Sequence, residues 1–187
     1  ILIYKSSSSF FILLAILLLS SCKHYDQKMK LEIVMPKQKA VTTNSRTFEL
    51  TVVDQRKEAA VLCTKQFGEE TIEISSNQNL ALFLQNELSE NLLQKGFQFG
   101  KNKKVEVVIK SFGYKAERAF VGKSKVDINL QVTVRNNYTG KKFTRNLELS
   151  SSRKHFIAPL ETTDARSINA ILKEAVQNIL SDEAFLQ

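Results

Sequence analysis

Histidine and cysteine occur only twice each in this 187-residue chain, and its six glycines are scattered singly. Each scarcity removes a class of chemistry. Hydrolysis or group transfer needs a nucleophile, a base and an orienting group held together. His24 sits in a polar, basic stretch with too little apolar surface to fix it within catalytic tolerance. His155 follows Arg153-Lys154 at the end of an alternating segment, and cationic neighbours suit no base. Both histidines read as surface or packing residues. Metal sites want clustered His, Cys, Asp or Glu, and no such spacing occurs, so no metal or other cofactor is expected. The isolated glycines form no phosphate-cradling loop. Glu69-Glu70 and Asp182-Glu183 are adjacent pairs whose side chains point apart on extended chain, which disfavours a shared proton. Asp54 and Arg56 read as a structural pair or a helix cap before a ligand site. The expectation is a protein that is not an enzyme.

Long apolar runs are equally scarce. The exception is residues 10–19 (FFILLAILLL), about half the length a helix needs to cross a bilayer. Lys5 precedes it, and the small residues Ser20 and Ser21 follow. A positive start, a short apolar core and a small-residue exit are the three parts of a secretory signal. The chain starts at Ile1 rather than Met, which leaves room for a longer basic region upstream. Leu19-Ser20-Ser21-Cys22 looks like a lipobox, in which a thiol is alkylated with diacylglycerol before the chain is cut ahead of it. Small side chains suit the scissile site, and ordinary cleavage sites need no cysteine there. Residues 1–21 therefore read as a cleaved signal peptide and Cys22 as the lipidated first residue, a palmitate-type membrane anchor. One acyl chain binds only reversibly, whereas two or three anchor stably. Lys23, rather than Asp, favours sorting to the outer membrane, facing the periplasm.

Lipid on Cys22 leaves Cys63 without an intramolecular partner, so the mature monomer holds no disulfide even in an oxidising compartment. Cys63 follows Ala59-Ala60-Val61-Leu62 and reads as a small buried hydrophobe. Cleavage removes one of 27 Lys and Arg against 19 Asp and Glu, so the mature charge is +7. That balance suits an anionic neighbour, and equally suits solubility.

Residues 22–46 read as the lipidated cysteine and a flexible basic tether, with one apolar patch at Leu31, Ile33, Val34 and Met35 able to add an edge strand ended by Pro36. A single domain over residues 47–187 follows. Phe48, Leu50 and Val52 alternate as a half-buried strand, and residues 71–74 form a second. Leu80, Phe83, Leu84, Leu88 and Leu92 share one helical face over residues 78–95, capped by Gly96. Three strands come next: one through Val105, Val107 and Ile109, one through Val126, Ile128, Leu130, Val132 and Val134, and one through Phe143, Leu147 and Leu149. Residues 136–140 form a hairpin turn between the last two. A closing helix carries Ile168, Leu172, Ala175, Val176 and Ile179. One dry and one wet strand face predict an α+β two-layer sandwich, a mostly antiparallel sheet with two helices on one face, in the order β-β-α-β-β-β-α.

The segments Leu50-Thr51-Val52-Val53-Asp54-Gln55-Arg56, Ser75, Leu80-Ala81-Leu82-Phe83-Leu84-Gln85, Lys95-Gly96-Phe97 and Asn137-Tyr138-Thr139-Gly140, in that order and spacing, resemble the YajG-like lipoproteins of Gram-negative bacteria. The resemblance spans residues 47–182 and agrees with the lipobox. It implies an uncharacterised envelope lipoprotein with no catalytic residues.

The basic residues carry the remaining functional signal. Lys101, Lys103 and Lys104 begin one strand, and Lys141 and Lys142 begin the strand two places later. Antiparallel pairing through the intervening strand puts both groups at one sheet end, a candidate anion-binding rim, with Arg118, Lys123 and Lys125 at the other. The plainer reading is that these lysines keep loops and edges soluble. Export removes nucleic acid as a partner. The reading is a non-enzymatic binding or scaffold module, tethered to the membrane by lipid and meeting an envelope protein or cell-wall polymer. The alternative is an accessory subunit that activates a cell-wall synthase or envelope transport complex.

Overall fold

The computed structural model describes residues 27–36, 46–156 and 160–182. The signal segment, Leu19, Ser20, Ser21, Cys22, His24 and Glu183 lie outside the described residues. The elements run β1 (Gln27–Met29), β2 (Thr47–Asp54), β3 (Cys63–Phe67), β4 (Glu70–Ser76), α1 (Leu80–Gln94), β5 (Gln98–Phe99), β6 (Lys103–Ala116), β7 (Val121–Asn136), β8 (Lys142–Phe156) and α2 (Glu161–Ser181).

Strand β6 is the hub. One edge pairs along its length with β7, which pairs in turn with β8, both antiparallel. Its other edge is shared: β2 takes residues 103–109 and β3 takes residues 113–116, both parallel. A register shift between Ile109 and Ser111 divides the two halves. The edge then branches, to β5 beside β2 and to β4 and β1 beside β3. Four of the seven pairings are parallel, so the sheet is mixed and not mostly antiparallel as expected. The reason lies in α1. The chain makes the β3–β4 hairpin before entering α1, so the helix carries it from β4 back to lay β5 and β6 parallel to β2 and β3 and antiparallel to β4.

The long strands follow the expected alternation. Val126, Ile128, Leu130, Val132 and Val134 are buried, and they join one core with both helices. Helix α1 packs on β2, α2 packs on β7 and β8, and the helices touch each other. Asn79 caps α1 by accepting from the Leu82 amide at 3.0 Å. At the other end Gly96, at φ 90°, lets its own amide reach Leu93 O at 2.9 Å and that of Phe97 reach Leu92 O at 3.1 Å. This pair of bonds is the Schellman arrangement that needs a left-handed residue.

Three elements were not expected. Residues 27–36 belong to the fold rather than to the tether. β1 pairs parallel with β4, Leu31 is buried, and Ile33 and Met35 pack on the core. The strand is Gln27–Met29, ahead of the apolar patch at 31–35. Strand β3 was missed because its middle residue is Lys65, which is buried. Strand β5 is only two residues long.

Candidate functional site

Two buried ionic groupings fix the sheet before any surface is considered. Lys65 of β3 places Nζ 2.7 Å from Asp164 Oδ2, with side-chain exposures of 6% and 0%. Tyr114 of β6 donates its hydroxyl to the other oxygen of Asp164 at 2.5 Å, and the ammonium lies 5.5 Å from the Tyr114 and Phe67 ring centres. Burial, with the hydrogen bond and charge of Asp164, raises the Tyr114 pKa further from neutrality. Nearby, Arg56 grips Asp54 with both prongs, Nε at 2.8 Å and Nη2 at 2.6 Å, and donates Nη1 to Leu62 O. Burial pushes the Asp54 carboxyl up, but the Arg56 hydrogen bonds and charge outweigh it and hold it below the usual value. Cys63 is buried beside this grip, and burial pushes its thiol up to about 12. A cleft of about 190 Å³ is lined by Arg56, Cys63 and Lys110 among others. His155 lies elsewhere, opposite Gly122 on β7, while Asp54 is level with Ile109, so the structure does not bring Asp54, Arg56 and His155 together.

The structure does gather the candidate rim at one sheet end, with one member changed. Lys104, Arg135 and Lys142 are directly opposite one another across β6, β7 and β8, and all three are exposed. Residues opposite each other share a face. Lys103 faces the other way, with Val105 and Val107, and is buried; desolvation and the charge of Arg46 lower its pKa. Lys101 and Lys141 are exposed on neighbouring loops that are latched together. Asn137 donates its amide to Lys101 O at 2.5 Å, and Tyr138 donates its hydroxyl to Asn102 at 2.9 Å. In the turn itself Asn136 Oδ1 accepts from the Tyr138 and Thr139 amides, each at 3.0 Å, and Gly140 at φ 68° closes it. Glu49 lies beside Lys104 and tempers the charge. Arg135 was missed although it ends the clearest alternating strand, where an outward cation is part of the pattern.

The opposite end is also basic. Lys115 and Lys125 are paired across β6 and β7, and Lys123 and Lys154 across β7 and β8. Lys115, Lys123 and Lys125 border a cleft of about 470 Å³ that also takes in Glu117 and Ser152. Lys125 pairs with Asp127 at 2.7 Å, and Arg118 with Glu70 at 2.8 Å.

Residues 34–187 match the model of a family described as uncharacterized lipoprotein. The chain belongs to that family. No curated protein sequence matches this lipoprotein. Among solved structures, an uncharacterized protein superposes at TM-score 0.53 with 12% identity, over 82% of this chain and 95% of the other. A Xanthomonas campestris protein does so at 0.51 with 8% identity, over 82% and 95%. At such identities the likeness is one of fold. The rare lipoprotein B from Shewanella oneidensis matches at 0.42 with 10% identity, over 65% and 92%. Among the described residues of the lipoprotein, no helix is long and apolar enough to cross a membrane, and no group of three His, Cys, Asp or Glu could hold a metal ion.

Proposed function

We propose that this chain is a YajG-like outer-membrane lipoprotein, anchored by lipid on Cys22 and facing the periplasm. Its domain is a non-enzymatic binding or scaffold module for a polyanionic or protein component of the envelope. The observation that carries the binding role is the row Lys104, Arg135 and Lys142 across three hydrogen-bonded strands. Cations fixed on a sheet lose less side-chain freedom on meeting phosphate or carboxylate groups than cations on a loose tail. The anchoring role rests on family membership and on the lipobox, with Cys22 only five positions before β1.

An accessory role in a cell-wall synthase or transport complex is the second reading. It is favoured by Leu82 and Leu93, both exposed on α1 and eleven positions apart, which sets them on nearly one face. Crosslinking in intact cells followed by purification of the tagged protein separates the two. Wall or lipid fragments alone support the binding module, and one recurrent protein complex supports the accessory role. Mass analysis of the peptide beginning at Cys22 tests the anchor directly; an unmodified thiol overturns it.

A further inference from the structure

The end of the sheet opposite the rim carries a second, different surface. Phe120 is 78% exposed, Val121 54%, Phe156 75% and Leu160 72%. Val121 and Phe156 are opposite each other on β7 and β8, Phe120 precedes the first of them, and Leu160 sits at the start of α2. Cations border this apolar tip. Lys123 and Lys154 face each other across the same two strands, and Arg153, opposite Ser124, lies on the other face of the tip, none of the three in an ion pair among the described residues. The rim end differs in kind. Its Tyr138 is held by its hydroxyl to Asn102, and its Phe99 leans on Phe48 at 5.2 Å between ring centres.

Strand polarity ties the apolar tip to the anchor. β3 ends at Phe67 beside Ala116, the chain turns, and β4 starts back from Glu70. β1 runs parallel to β4 and begins opposite Ile74, so it enters the sheet from the side on which Phe67, Glu70 and Arg118 meet. Gln27 is four strand positions behind Glu70, or about 13 Å. Cys22 is five residues before Gln27, a reach of at most about 18 Å. With that reach, an anchor at Cys22 favours the tip end of the sheet, and not the rim, as the side nearer the bilayer.

We propose that Phe120, Val121, Phe156 and Leu160 dip into an anionic phospholipid surface while Lys123, Arg153 and Lys154 meet its headgroup phosphates. An apolar wedge ringed by cations has the composition of a peripheral membrane contact. The orientation rests on the lipid anchor at Cys22, whereas the docking surface itself does not. The protein contains no tryptophan, so single reporters can be placed without background.

The full-length processed protein is made as Phe120→Trp, Phe156→Trp or Tyr138→Trp and mixed with vesicles containing anionic phospholipid with brominated acyl chains. The expected result is loss of about half the fluorescence for the first two reporters and little loss for the third. Exchanging the anionic lipid for a zwitterionic one, or combining Lys123→Glu with Lys154→Glu, should weaken quenching of Phe120→Trp. Equal quenching of the Phe120→Trp and Tyr138→Trp proteins overturns the proposal, as does quenching indifferent to lipid charge. Absence of quenching in both, the outcome expected if this end binds a protein instead, overturns it too. The mass of the Cys22 peptide, measured on the same samples, reports failure of the anchor separately.

Discussion

A buried ammonium survives only beside a partner as buried as itself, and Lys65 with Asp164 meets that condition. Removing one member leaves the other charged and dry. Asp164→Ala should therefore cost about 3–5 kcal/mol, read as a lower midpoint in urea, while a combined Lys65→Met and Asp164→Leu change should cost far less. The same pair explains why β3 escaped notice. Cys-Thr-Lys-Gln-Phe has a lysine where an apolar residue would mark a strand, and its compensating carboxylate lies 99 positions away. The Asp54 and Arg56 pairing was legible because the partners are two residues apart, within reach along one segment. It also sets an acid limb. A carboxyl held below its unfolded value stabilises the fold above the ordinary Asp pKa, about 3.9, and that contribution is lost as pH falls through the lower folded value. Asp54→Asn should lose stability near neutrality and show a flatter stability profile in that acid range, measured by denaturant unfolding across pH.

At the scale of elements, the start of the fold is the instructive case. Met29 and Leu31 are buried while Lys28, Lys30 and Glu32 face out, a clean period of two. The density of lysine there, two of its three outward positions, reads as a solvated tether when composition is weighed ahead of alternation. Residues 27–36 are fastened by β1 pairing and by Asn169, whose Oδ1 accepts from the Glu32 amide at 3.1 Å. Leu31→Ala should accordingly cost about 2–5 kcal/mol, whereas a true tether residue would cost nothing measurable by thermal unfolding. Gly122 supplies a second element-level constraint, where β7 leaves its hairpin. A Cβ there would sit 2.6 Å from His155 Cε1 and 3.0 Å from the Glu117 carbonyl. Gly122→Ala should lower stability by about 1–3 kcal/mol, and thermal unfolding of the double change with His155→Ala should recover part of it. The long strands and both helices were legible because their apolar periods are unbroken. The parallel pairing was not, since β2 and β3 share one edge of β6 through contacts that no local pattern encodes.

At the scale of the molecule, the sheet is a spacer with two unlike ends. The 16 residues of β7 span about 50 Å, longer than any reach available to the chain between Cys22 and β1. In the proposed orientation, a rim at the far end stands clear of the membrane surface met by the near end, beyond several Debye lengths at physiological salt. Separation of that size lets the two ends be altered independently. Changing Lys104, Arg135 and Lys142 together to Gln removes three exposed charges without touching a buried contact. Binding to a soluble polyphosphate should weaken roughly tenfold, if each lost exposed pairing is worth a few tenths of a kcal/mol or more. Unfolding midpoint and vesicle docking should stay unchanged. Lys103→Gln supplies the contrast: it is buried on the core side of the same strand, so it should leave polyphosphate affinity unaltered while shifting stability. Isothermal titration at two salt concentrations distinguishes these outcomes. A triple variant that binds as tightly as the parent would assign the rim to solubility alone, and leave the apolar tip as the surface through which the lipoprotein meets its surroundings.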